Sequence, residues 1–436
     1  MSVHSEFTIS GGTPLRGHVR VPGDKGISHR ALVIAAMADG ESTITGLARG
    51  RDVAATRAAL TELGVDVRDA DRDGSCAVRA KGIDALREPE TVVDCENSGT
   101  TLRMLAGLVA GRPFLTILTG DASLLRRPMR RITDPLRTLG AHVDGRADGA
   151  YPPLVVRGGD LHGADISLAV ASGQVKTALA LAGMQAHGTT TIREPAPSRD
   201  HTERMLTALG VDLRRIDERT IEVRADAPTP FDLDVPGDPS SAAFLIAAAA
   251  IVPDSNLVIE DLLLNPGRLG FVDVLRRMGA RITVRERGER LGEPVGDVEV
   301  ESAPLTGTVV ECAEPFVDEI PAIAVAAAFA DGPTEIHNLA ELRVKESDRV
   351  ATVLDLLDRL GVSTESLPDG LVVQGGSPRA ATFESHGDHR LALAAATAAV
   401  ATPGRSVIRG WDAVGVSYPE YADDLAHLRG TSERDR

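Results

Sequence analysis

The chain has 436 residues, which is too long for one compact core and predicts two domains. Its formal net charge is -16, from 47 Lys and Arg against 63 Asp and Glu. This acidic balance argues against nucleic-acid binding and anionic-membrane binding, because both favour a basic surface. It is compatible with a small anionic substrate, since a local cluster of Arg and Lys can reverse the potential at one site.

Cysteine usage and the apolar segments indicate the compartment. The cysteines at positions 76, 95 and 312 are too few and too scattered for a disulfide framework or a zinc cluster, so no metal site is predicted. The N-terminus lacks the basic-then-apolar pattern of a signal peptide. The longest apolar runs are about half of the roughly 20 residues that a membrane span needs. We expect a cytoplasmic protein without membrane contact, with a frayed tail over residues 430–436.

An internal repeat organises the chain. The segment VPGDKGISHRALVIAAMADG, which starts at Val21, returns as VPGDPSSAAFLIAAAAIVPD, which starts at Val235. Each copy begins with an extended Val-Pro-Gly and turns into an Ala-rich helix. A β-like stretch and a second helix follow in both copies. The repeat therefore predicts two similar halves.

Two finer signals recur along each half. Glycines that follow the last apolar turn of a helix are the expected C′ residues, and β-branched residues after them start strands. These glycines are Gly64, Gly140, Gly210, Gly279 and Gly361. Short polar residues of N-cap or first-turn type open Ala-rich helices. They are Asp24, Asn97, Ser172, Asp238, Asp318 and Asp388. Together they predict six mixed α/β units, three in each half, whose positive helix N-termini gather anions in one cleft.

Basic residues stand beside these helix starts in four motifs. Arg suits a bidentate grip on phosphate or carboxylate, whereas Lys is a point charge that can also move protons. The motifs are GDKGISHR with Lys25 and Arg30, DASLLRRPMRR with Arg126, Arg127, Arg130 and Arg131, ELRVKESDR with Lys345, Glu346 and Arg349, and HGDHR with Arg390. Arg130 and Arg131 also fit a structural ion pair on a solvated face. His386 and His389 fit structural positions, because no metal-ligand spacing surrounds them.

A series of motifs in a fixed order resembles the 5-enolpyruvylshikimate-3-phosphate synthase family of enolpyruvyl transferases over nearly the whole chain. The motifs are PGDKxxSHR at residues 22–30, NSGTTLR at 97–103, GDASLLRRPM at 120–129, SGQVKTA at 172–178, SRDHTERML at 198–206, then GDPSSAAF, DEIP, RVKESDR at 343–349, GDHR, and VSYP at 416–419. The wording GDK, NSGTT and SRDHTE is similar to the branch called class II.

This resemblance implies an α/β (α+β) fold with two similar domains. Each domain consists of three βαβαββ-type repeat units, arranged as an inside-out α/β barrel, and the substrates bind in a cleft between the domains. The chain crosses between the domains twice. Residues 1–21 with 236–436 form one domain, and residues 22–235 form the other. The half-chain repeat agrees with this division.

The resemblance also implies an activity. The family transfers the enolpyruvyl group of phosphoenolpyruvate to the 5-hydroxyl of shikimate 3-phosphate and releases phosphate, the sixth step of the shikimate pathway to chorismate. No metal and no organic cofactor are implied, and a monomer is expected. Adding an alcohol to C2 of an enol phosphate needs a proton at C3 and a base for the hydroxyl, which suits carboxylates and a lysine with separated pKa values.

Site residues carry over motif by motif from the resemblance. Asp318 matches the base for the 5-hydroxyl, Glu346 the group that moves protons at the phosphoenolpyruvate methylene carbon, and Lys25 a contact to both substrates. The residues implied to bind shikimate 3-phosphate are Lys25, Gly26, Arg30, Ser172, Gly173, Gln174, Ser198, Arg199, Asp318 and Lys345. Those implied to bind phosphoenolpyruvate are Lys25, Gly99, Arg127, Gln174, Glu346, Arg349 and Arg390.

One departure keeps other acceptors open. Gly26 stands where the family usually has a serine whose hydroxyl touches shikimate 3-phosphate, so a variant phosphorylated cyclitol remains an alternative acceptor. UDP-N-acetylglucosamine, the acceptor of a sister transferase, is a second alternative. The sister transferase for UDP-N-acetylglucosamine has a reactive cysteine in the loop that matches residues 120–129, and no Cys occurs there. The acidic balance disfavours a relative that processes RNA 3′ ends. A non-catalytic module that binds phosphorylated metabolites is disfavoured because Lys25, Asp318 and Glu346 are all present.

Overall fold

A computed structural model of the chain describes residues 5–69 and 75–430. The chain forms two compact units. Unit 1 takes the chain up to Pro22, Pro236–Gly288 and the chain from Pro294 onward, and unit 2 takes Gly23–Val235 with Glu289–Glu293. The segment Glu289–Glu293 was expected in the same domain as the rest of residues 236–436, but it belongs to unit 2. Of the predicted frayed tail at 430–436, residues 431–436 lie outside the described residues.

The described residues alternate between strands and helices along most of their length. The strands are β1 Glu6–Gly11, β2 Arg16–Val19, β3 Asp39–Thr45, β4 Asp66–Asp69, β5 Cys76–Lys81, β6 Val93–Asp94, β7 Leu115–Thr119, β8 His142–Gly145, β9 Tyr151–Arg157, β10 Asp165–Ser167, β11 Thr189–Arg193, β12 Leu213–Arg215, β13 Thr220–Arg224, β14 Asp232–Asp234, β15 Asn256–Leu263, β16 Arg281–Arg290, β17 Glu293–Glu301, β18 Val309–Glu311, β19 Pro333–His337, β20 Thr364–Leu367, β21 Gly370–Gln374, β22 Thr382–Glu384 and β23 Gly404–Arg409.

The α-helices are α1 Lys25–Met37, α2 Arg51–Glu62, α3 Gly99–Leu108, α4 Arg130–Thr138, α5 Arg146–Gly149, α6 Gly173–Gly183, α7 His201–Ala208, α8 Pro239–Ile251, α9 Gly270–Arg277, α10 Ile320–Ala328, α11 Arg349–Arg359, α12 His389–Ala401 and α13 Tyr421–Leu428. Short 3-10 segments occur at Ile83–Ala85, Leu124–Arg126, Glu314–Glu319, Ala340–Val344 and Trp411–Val416. Among the described residues, no helix is long and apolar enough to cross a membrane.

The strands form one small sheet per repeat unit. In unit 2 the strand orders are β14-β3-β5-β4, β6-β7-β9-β8 and β10-β11-β13-β12, and in unit 1 they are β16-β17-β15-β2, β18-β19-β21-β20 and β1-β23-β22. Each repeat joins a parallel pair, such as β6 with β7, to antiparallel neighbours, such as β7 with β9. The order β6-α3-β7-α4-β8-β9 is the predicted βαβαββ pattern, with the short α5 before β9. The predicted fold class is confirmed.

The ends of the two units complete their own sheets. β14, from the end of unit 2, pairs in parallel with β3 and supplies the first strand of that repeat. In unit 1, β1 pairs with β23 in antiparallel fashion, and β2 pairs with β15 in parallel. These pairings explain why the earliest strands belong with the C-terminal half of the chain.

Ala-rich helices form the interior of each unit. In α1, α8 and α12 nearly every residue is buried, as expected for helices that are apolar on all sides. Small side chains let such helices pack closely. A Cβ added at Gly107 in α3 would lie 2.2 Å from the carbonyl oxygen of Ala178 in α6, so the two backbones touch there. A core of this kind needs few aromatic residues, in agreement with the composition.

The helix starts confirm four of the six predicted capping positions. Asp24, Ser172, Asp238 and Asp388 accept backbone N–H bonds as N-caps. Two predictions were wrong. Ser98, not Asn97, caps α3, and Asp318 lies in the 3-10 segment before α10, whose N-cap is Glu319. The side chains of Asn97 and Asp318 instead bind arginines, as described below.

The predicted helix-ending glycines have the expected backbone. Their φ angles are 88° at Gly64, 106° at Gly140, 80° at Gly210, 104° at Gly279 and 77° at Gly361. These values lie in the region where a residue with a Cβ is strained, so glycine is the natural choice at C′. The prediction of these helix ends is confirmed.

Candidate active site

In unit 2, Lys25 begins α1 directly after the cap residue Asp24. Its Nζ lies 3.1 Å from Oδ2 of Asp52 in α2, and both side chains are largely buried. The N-terminus of α1 also favours anions, because its N–H groups carry partial positive charge. Lys25 and this helix start therefore lie side by side, with Asp52 fixing the position of the side chain.

Arg30 joins the starts of three helices. Its Nη1 donates to the carbonyl of Gly26 in α1 at 3.0 Å, and its Nη2 donates to Thr177 Oγ1 in α6 at 2.8 Å. Its Nε donates to Thr202 Oγ1 in α7 at 2.8 Å, and Nη2 also lies 3.2 Å from the carbonyl of Gly173. The side chain is 3% exposed, and burial lowers its pKa to about 10. Arg30 thus holds α1, α6 and α7 together around the predicted acceptor residues.

The predicted acceptor residues on α6 lie next to those that precede α7. A Cβ at Gly173 would be 3.1 Å from the carbonyl oxygen of Arg199, so these segments are in close contact. Ser172 caps α6, and its backbone N–H donates to Glu194 Oε1 at 3.2 Å. Ser198 is buried beside Arg199. The structure therefore places Ser172, Gly173, Ser198 and Arg199 in one region of unit 2.

Two guanidinium groups converge over the start of α3. A Cβ added at Gly99 would lie 3.1 Å from Nη1 of both Arg103 and Arg127. Arg127 Nη2 donates to Asn97 Oδ1 at 2.6 Å, and Asn97 Nδ2 in turn donates to Asp121 Oδ2 at 2.6 Å. The missing side chain at position 99 leaves room for this concentration of positive charge.

Gln174 links α6 to the same helix. Arg103 Nη1 donates to its Oε1 at 2.5 Å, and its Nε2 donates to Thr100 Oγ1 at 2.8 Å. Arg103 lies inside the NSGTTLR motif, but it was not predicted as a site residue. Its spacing was a usable signal, because a residue four positions after Gly99 faces the same side of α3.

In unit 1, Arg349 collects three carboxylates. Asp388 accepts from its Nε at 2.8 Å and from its Nη2 at 3.2 Å. Asp318 Oδ1 accepts from Nη1 at 2.9 Å, and Glu346 Oε2 accepts from Nη2 at 2.7 Å. Arg349 is 1% exposed. Burial alone would lower its pKa, but the three carboxylates outweigh burial and raise the pKa above its ordinary value. The guanidinium therefore stays charged.

Asp318 also faces a second cation, because Lys345 Nζ lies 3.5 Å from its Oδ1. The structure thus brings Asp318, Lys345, Glu346 and Arg349 into one cluster. All four were predicted site residues.

A second buried arginine braces the start of α8 in the same unit. Arg268 Nη2 donates to Asp238 Oδ1 at 2.9 Å and to Ser240 Oγ at 2.7 Å. Ser240 Oγ also donates to Glu319 Oε1, next to Asp318 in sequence. Arg390 Nη1 donates to the carbonyl of Ser240 at 2.8 Å. The predicted residue Arg390 is therefore held by a network that the sequence did not reveal.

With the two clusters described, the comparisons with known proteins decide the family. The sequence model of EPSP synthase (3-phosphoshikimate 1-carboxyvinyltransferase) matches residues 9–425. The chain belongs to this family. The predicted family is confirmed, and with it the predicted class of enzyme, a 3-phosphoshikimate 1-carboxyvinyltransferase; the alternative acceptors are not favoured.

Similar proteins support the family along nearly the full length. A 3-phosphoshikimate 1-carboxyvinyltransferase from a Synechococcus strain is 49% identical over 97% of this chain and 98% of its own. A protein of that name from Herpetosiphon aurantiacus is 46% identical over 97% of this chain and 99% of its own. The solved EPSP synthase from Acinetobacter baumannii is 37% identical, with a TM-score of 0.86 over 97% of both chains.

Several charged residues near the family motifs serve other contacts. Arg130 Nη2 donates to the carbonyl of Ala147 at 3.0 Å, which fits the structural alternative considered for it. His386 Nε2 lies 3.3 Å from Asp355 Oδ2 at an exposed position, and His389 is buried at the start of α12. These histidines remain structural candidates.

One group in unit 2 has the spacing of a metal site. Asp200, His201 and Glu293 each offer a ligand atom within 4.8 Å of the others. However, Asp200 Oδ2 lies 2.9 Å from Arg204 Nε and 3.2 Å from Arg215 Nη1. His201 Nδ1 lies 2.7 Å from Glu293 Oε1. Two guanidinium groups at the carboxylate oppose a further cation, so the group is assigned to ion pairing.

Proposed function

We propose that the chain transfers the enolpyruvyl group of phosphoenolpyruvate to the 5-hydroxyl of shikimate 3-phosphate and releases phosphate. The arrangement of Arg349 carries the assignment of roles. This buried guanidinium holds Asp318 at 2.9 Å and Glu346 at 2.7 Å, the two carboxylates that the family motifs match to proton transfer. The reaction needs two such groups, one for the hydroxyl and one for the methylene carbon.

Asp318 acts as the base for the 5-hydroxyl. Its carboxylate is held by Arg349 Nη1 at 2.9 Å and lies 3.5 Å from Lys345 Nζ, which fixes its position. As the hydroxyl oxygen forms a bond to C2 of phosphoenolpyruvate, the C2–C3 double bond takes up a proton at C3. Glu346 moves this proton, assisted by Lys25. The product of this step is a tetrahedral intermediate that carries both the phosphate and the 5-oxygen of shikimate 3-phosphate on C2.

Elimination then reverses the proton flow at C3. Loss of a C3 proton to the carboxylate restores the double bond, and the electron pair of the C2–O bond leaves with phosphate. Positive groups favour this step because charge builds on the departing phosphate. Arg349 and Arg390 in unit 1, and Arg127 in unit 2, supply this charge together with Lys25. Gly99 and Gln174 contribute a backbone N–H and an amide.

The acceptor is bound by residues on the starts of three helices of unit 2. These residues contact the phosphate, carboxylate and hydroxyl groups of shikimate 3-phosphate. They are Lys25, Gly26, Arg30, Ser172, Gly173, Gln174, Ser198 and Arg199, to which Asp318 and Lys345 of unit 1 are added. What supports the set is the contact between Gly173 and Arg199 and the bonds of Arg30 to both α6 and α7. No metal or organic cofactor is invoked.

Gly26 keeps its place in this site through its backbone. Its carbonyl accepts from Arg30 Nη1, and a Cβ at this position would lie 3.1 Å from Asp24 Oδ1 and 3.3 Å from Arg30 Nη1. Both contacts are tighter than ordinary van der Waals distance, so glycine suits the local packing. The backbone N–H of Gly26 can still donate to the acceptor, but the side-chain contact that a serine would make is missing.

Phosphate release from purified protein tests the proposal. We expect release with phosphoenolpyruvate and shikimate 3-phosphate together, and none with either substrate alone. Release only with UDP-N-acetylglucosamine as acceptor would overturn the assignment.

We further propose that the enzyme works as a monomer in the cytoplasm. Light scattering after size-exclusion chromatography should give the mass of one chain, 45.8 kDa.

A further inference from the structure

A buried ion triad in unit 2 adjoins the residues assigned to the acceptor. Lys176, on α6, has its Nζ 2.7 Å from Glu194 Oε2 and 2.7 Å from Glu203 Oε1. Glu194 directly follows β11, and Glu203 lies on α7. The three residues are 3%, 5% and 6% exposed, respectively. None of the three belongs to the residues to which the family motifs assign a role.

The triad is connected to the acceptor residues through short paths. Glu194 binds Lys176 with one oxygen, and with the other it accepts from the backbone N–H of Ser172 at 3.2 Å. Glu203 follows Ser198 and Arg199 at the start of α7. The triad therefore ties the start of α6, at Ser172, to α7, which directly follows the segment at residues 198–199.

The charges of this region depend on one another. Burial alone would lower the pKa of Lys176, but Glu203 and Glu194 outweigh burial and hold the pKa above its ordinary value. The triad carries two carboxylates for one ammonium. Arg30 supplies a further positive charge, and Glu203 is among the carboxylates that oppose the lowering of its pKa. Removing one member would leave a buried charge uncompensated, which strongly disturbs the local structure.

Buried ion networks contribute little net stability compared with apolar side chains of the same volume. Their geometry is nevertheless strict, because each charged hydrogen bond fixes both partners. Here the network fixes the backbone of Ser172, which donates to Glu194 and caps α6. A neighbouring bond between Thr177 Oγ1 and Thr202 Oγ1, at 2.5 Å, also joins α6 to α7; Thr177 follows Lys176, and Thr202 precedes Glu203.

We propose that Lys176, Glu194 and Glu203 are positioning residues that set the affinity for shikimate 3-phosphate. Glu194 acts through the backbone of Ser172, and Lys176 orients Glu194. The proposal rests on the acceptor site assigned under the proposed function. It predicts that disturbing the triad weakens acceptor binding more than phosphoenolpyruvate binding, because the triad contacts the acceptor segments.

Steady-state kinetics of Glu194→Gln provide the test. The amide keeps the shape of the side chain but loses its charge, so both of its bonds weaken. We expect the KM for shikimate 3-phosphate and its Kd in calorimetry to rise about tenfold, which corresponds to ~1.4 kcal/mol. The KM for phosphoenolpyruvate should change by less than about twofold. Lys176→Arg keeps the positive charge at this position. It should therefore raise the KM for shikimate 3-phosphate by less than Glu194→Gln does.

Leu118→Ala is the matched control. Leu118 lies in β7, is fully buried in unit 2 and makes none of the polar contacts described for the acceptor site. Its truncation lowers stability and should leave the KM for shikimate 3-phosphate unchanged. If Glu194→Gln behaves like Leu118→Ala in all kinetic constants, the positioning role is wrong and the triad is structural only.

Ser172→Ala separates this inference from the proposed function. If Ser172→Ala leaves acceptor binding unchanged, the assignment of the acceptor site itself fails. If it weakens binding, the double variant decides the path. We expect Glu194→Gln to cost less in the Ser172→Ala background than alone, because the hydroxyl that it positions is gone. Fully independent effects of the two substitutions would contradict action through Ser172.

Discussion

Gly99→Ala tests how closely the start of α3 is fitted to phosphoenolpyruvate. The new Cβ would lie 3.1 Å from Nη1 of both Arg103 and Arg127, and ordinary van der Waals contact begins at 3.4 Å. Each guanidinium must therefore withdraw by a few tenths of an ångström. Arg127 cannot do so without straining its bond to Asn97, which is 2.6 Å long. The substitution thus displaces a residue proposed to grip phosphoenolpyruvate.

The size of the effect follows from the displacement. A misplacement of 1 Å in an active site can cost about 100-fold. A shift of about half that distance corresponds to roughly tenfold, or ~1.4 kcal/mol. We expect the KM for phosphoenolpyruvate to rise by about this factor, measured by phosphate release at saturating shikimate 3-phosphate.

Gly376→Ala provides the control for Gly99→Ala. A Cβ at Gly376 would meet no atom within 4 Å, so its kinetic constants should match those of the unmodified enzyme. An unchanged KM for phosphoenolpyruvate in Gly99→Ala would refute the proposed fit between the start of α3 and this substrate. An equal loss in both glycine variants would refute it as well, because the effect would then not depend on the two arginines.

Three further variants address the base, the packing of unit 1 and the pH response. Asp318→Asn should lower kcat by about 100- to 10,000-fold in the phosphate-release assay, since a general base is removed, and a near-normal kcat would rule out that role. Arg268→Met should lower the unfolding free energy in urea by about 3–5 kcal/mol, because the buried Asp238 loses its ion partner; a change below ~1 kcal/mol would contradict this. Burial lowers the pKa of His29 from 6.5 to about 3, so only the unfolded chain binds this proton between those values. The stability contributed by neutral His29 is complete above pH 6.5 and is lost towards pH 3, by about 1.4 kcal/mol per pH unit, and His29→Gln should flatten that part of the stability curve.

The half-chain repeat made the architecture predictable from sequence. Each repeat encodes its own helix starts and glycine ends, so local signals and the global fold agree. The errors occurred where two polar residues compete for one cap. Asn97 and Ser98 are adjacent and both suit an N-cap, and local preference cannot show that Asn97 is engaged by Arg127.

The start of α10 illustrates the same limit. The motif DEIP suggested Asp318 as a first-turn residue, but a 3-10 segment, Glu314–Glu319, precedes the helix. The helix begins at Ile320, with Pro321 in its first turn, where proline is tolerated. Asp318 is therefore available to Arg349, a contact between residues that 31 positions separate.

The site residues within motifs could be predicted, but most of their partners could not. Lys25 and Arg349 stand out by residue type and by their position beside helix starts. Glu194 and Arg268 lie in segments without a chemical motif. Their roles arise from tertiary contacts, such as the bond from Ser172 to Glu194, which no local pattern encodes. Only the packed structure brings such pairs together.

The fate of the enolpyruvyl carbon shows whether the proposed transfer takes place. Phosphoenolpyruvate labelled with ¹³C at C2 would be incubated with the enzyme and shikimate 3-phosphate and followed by NMR. We expect the label to appear in an enol ether on the 5-oxygen, in step with free phosphate, and Asp318→Asn to form this product far more slowly. A label that stays in phosphoenolpyruvate, or that moves only when UDP-N-acetylglucosamine is supplied, would rule out the proposed reaction.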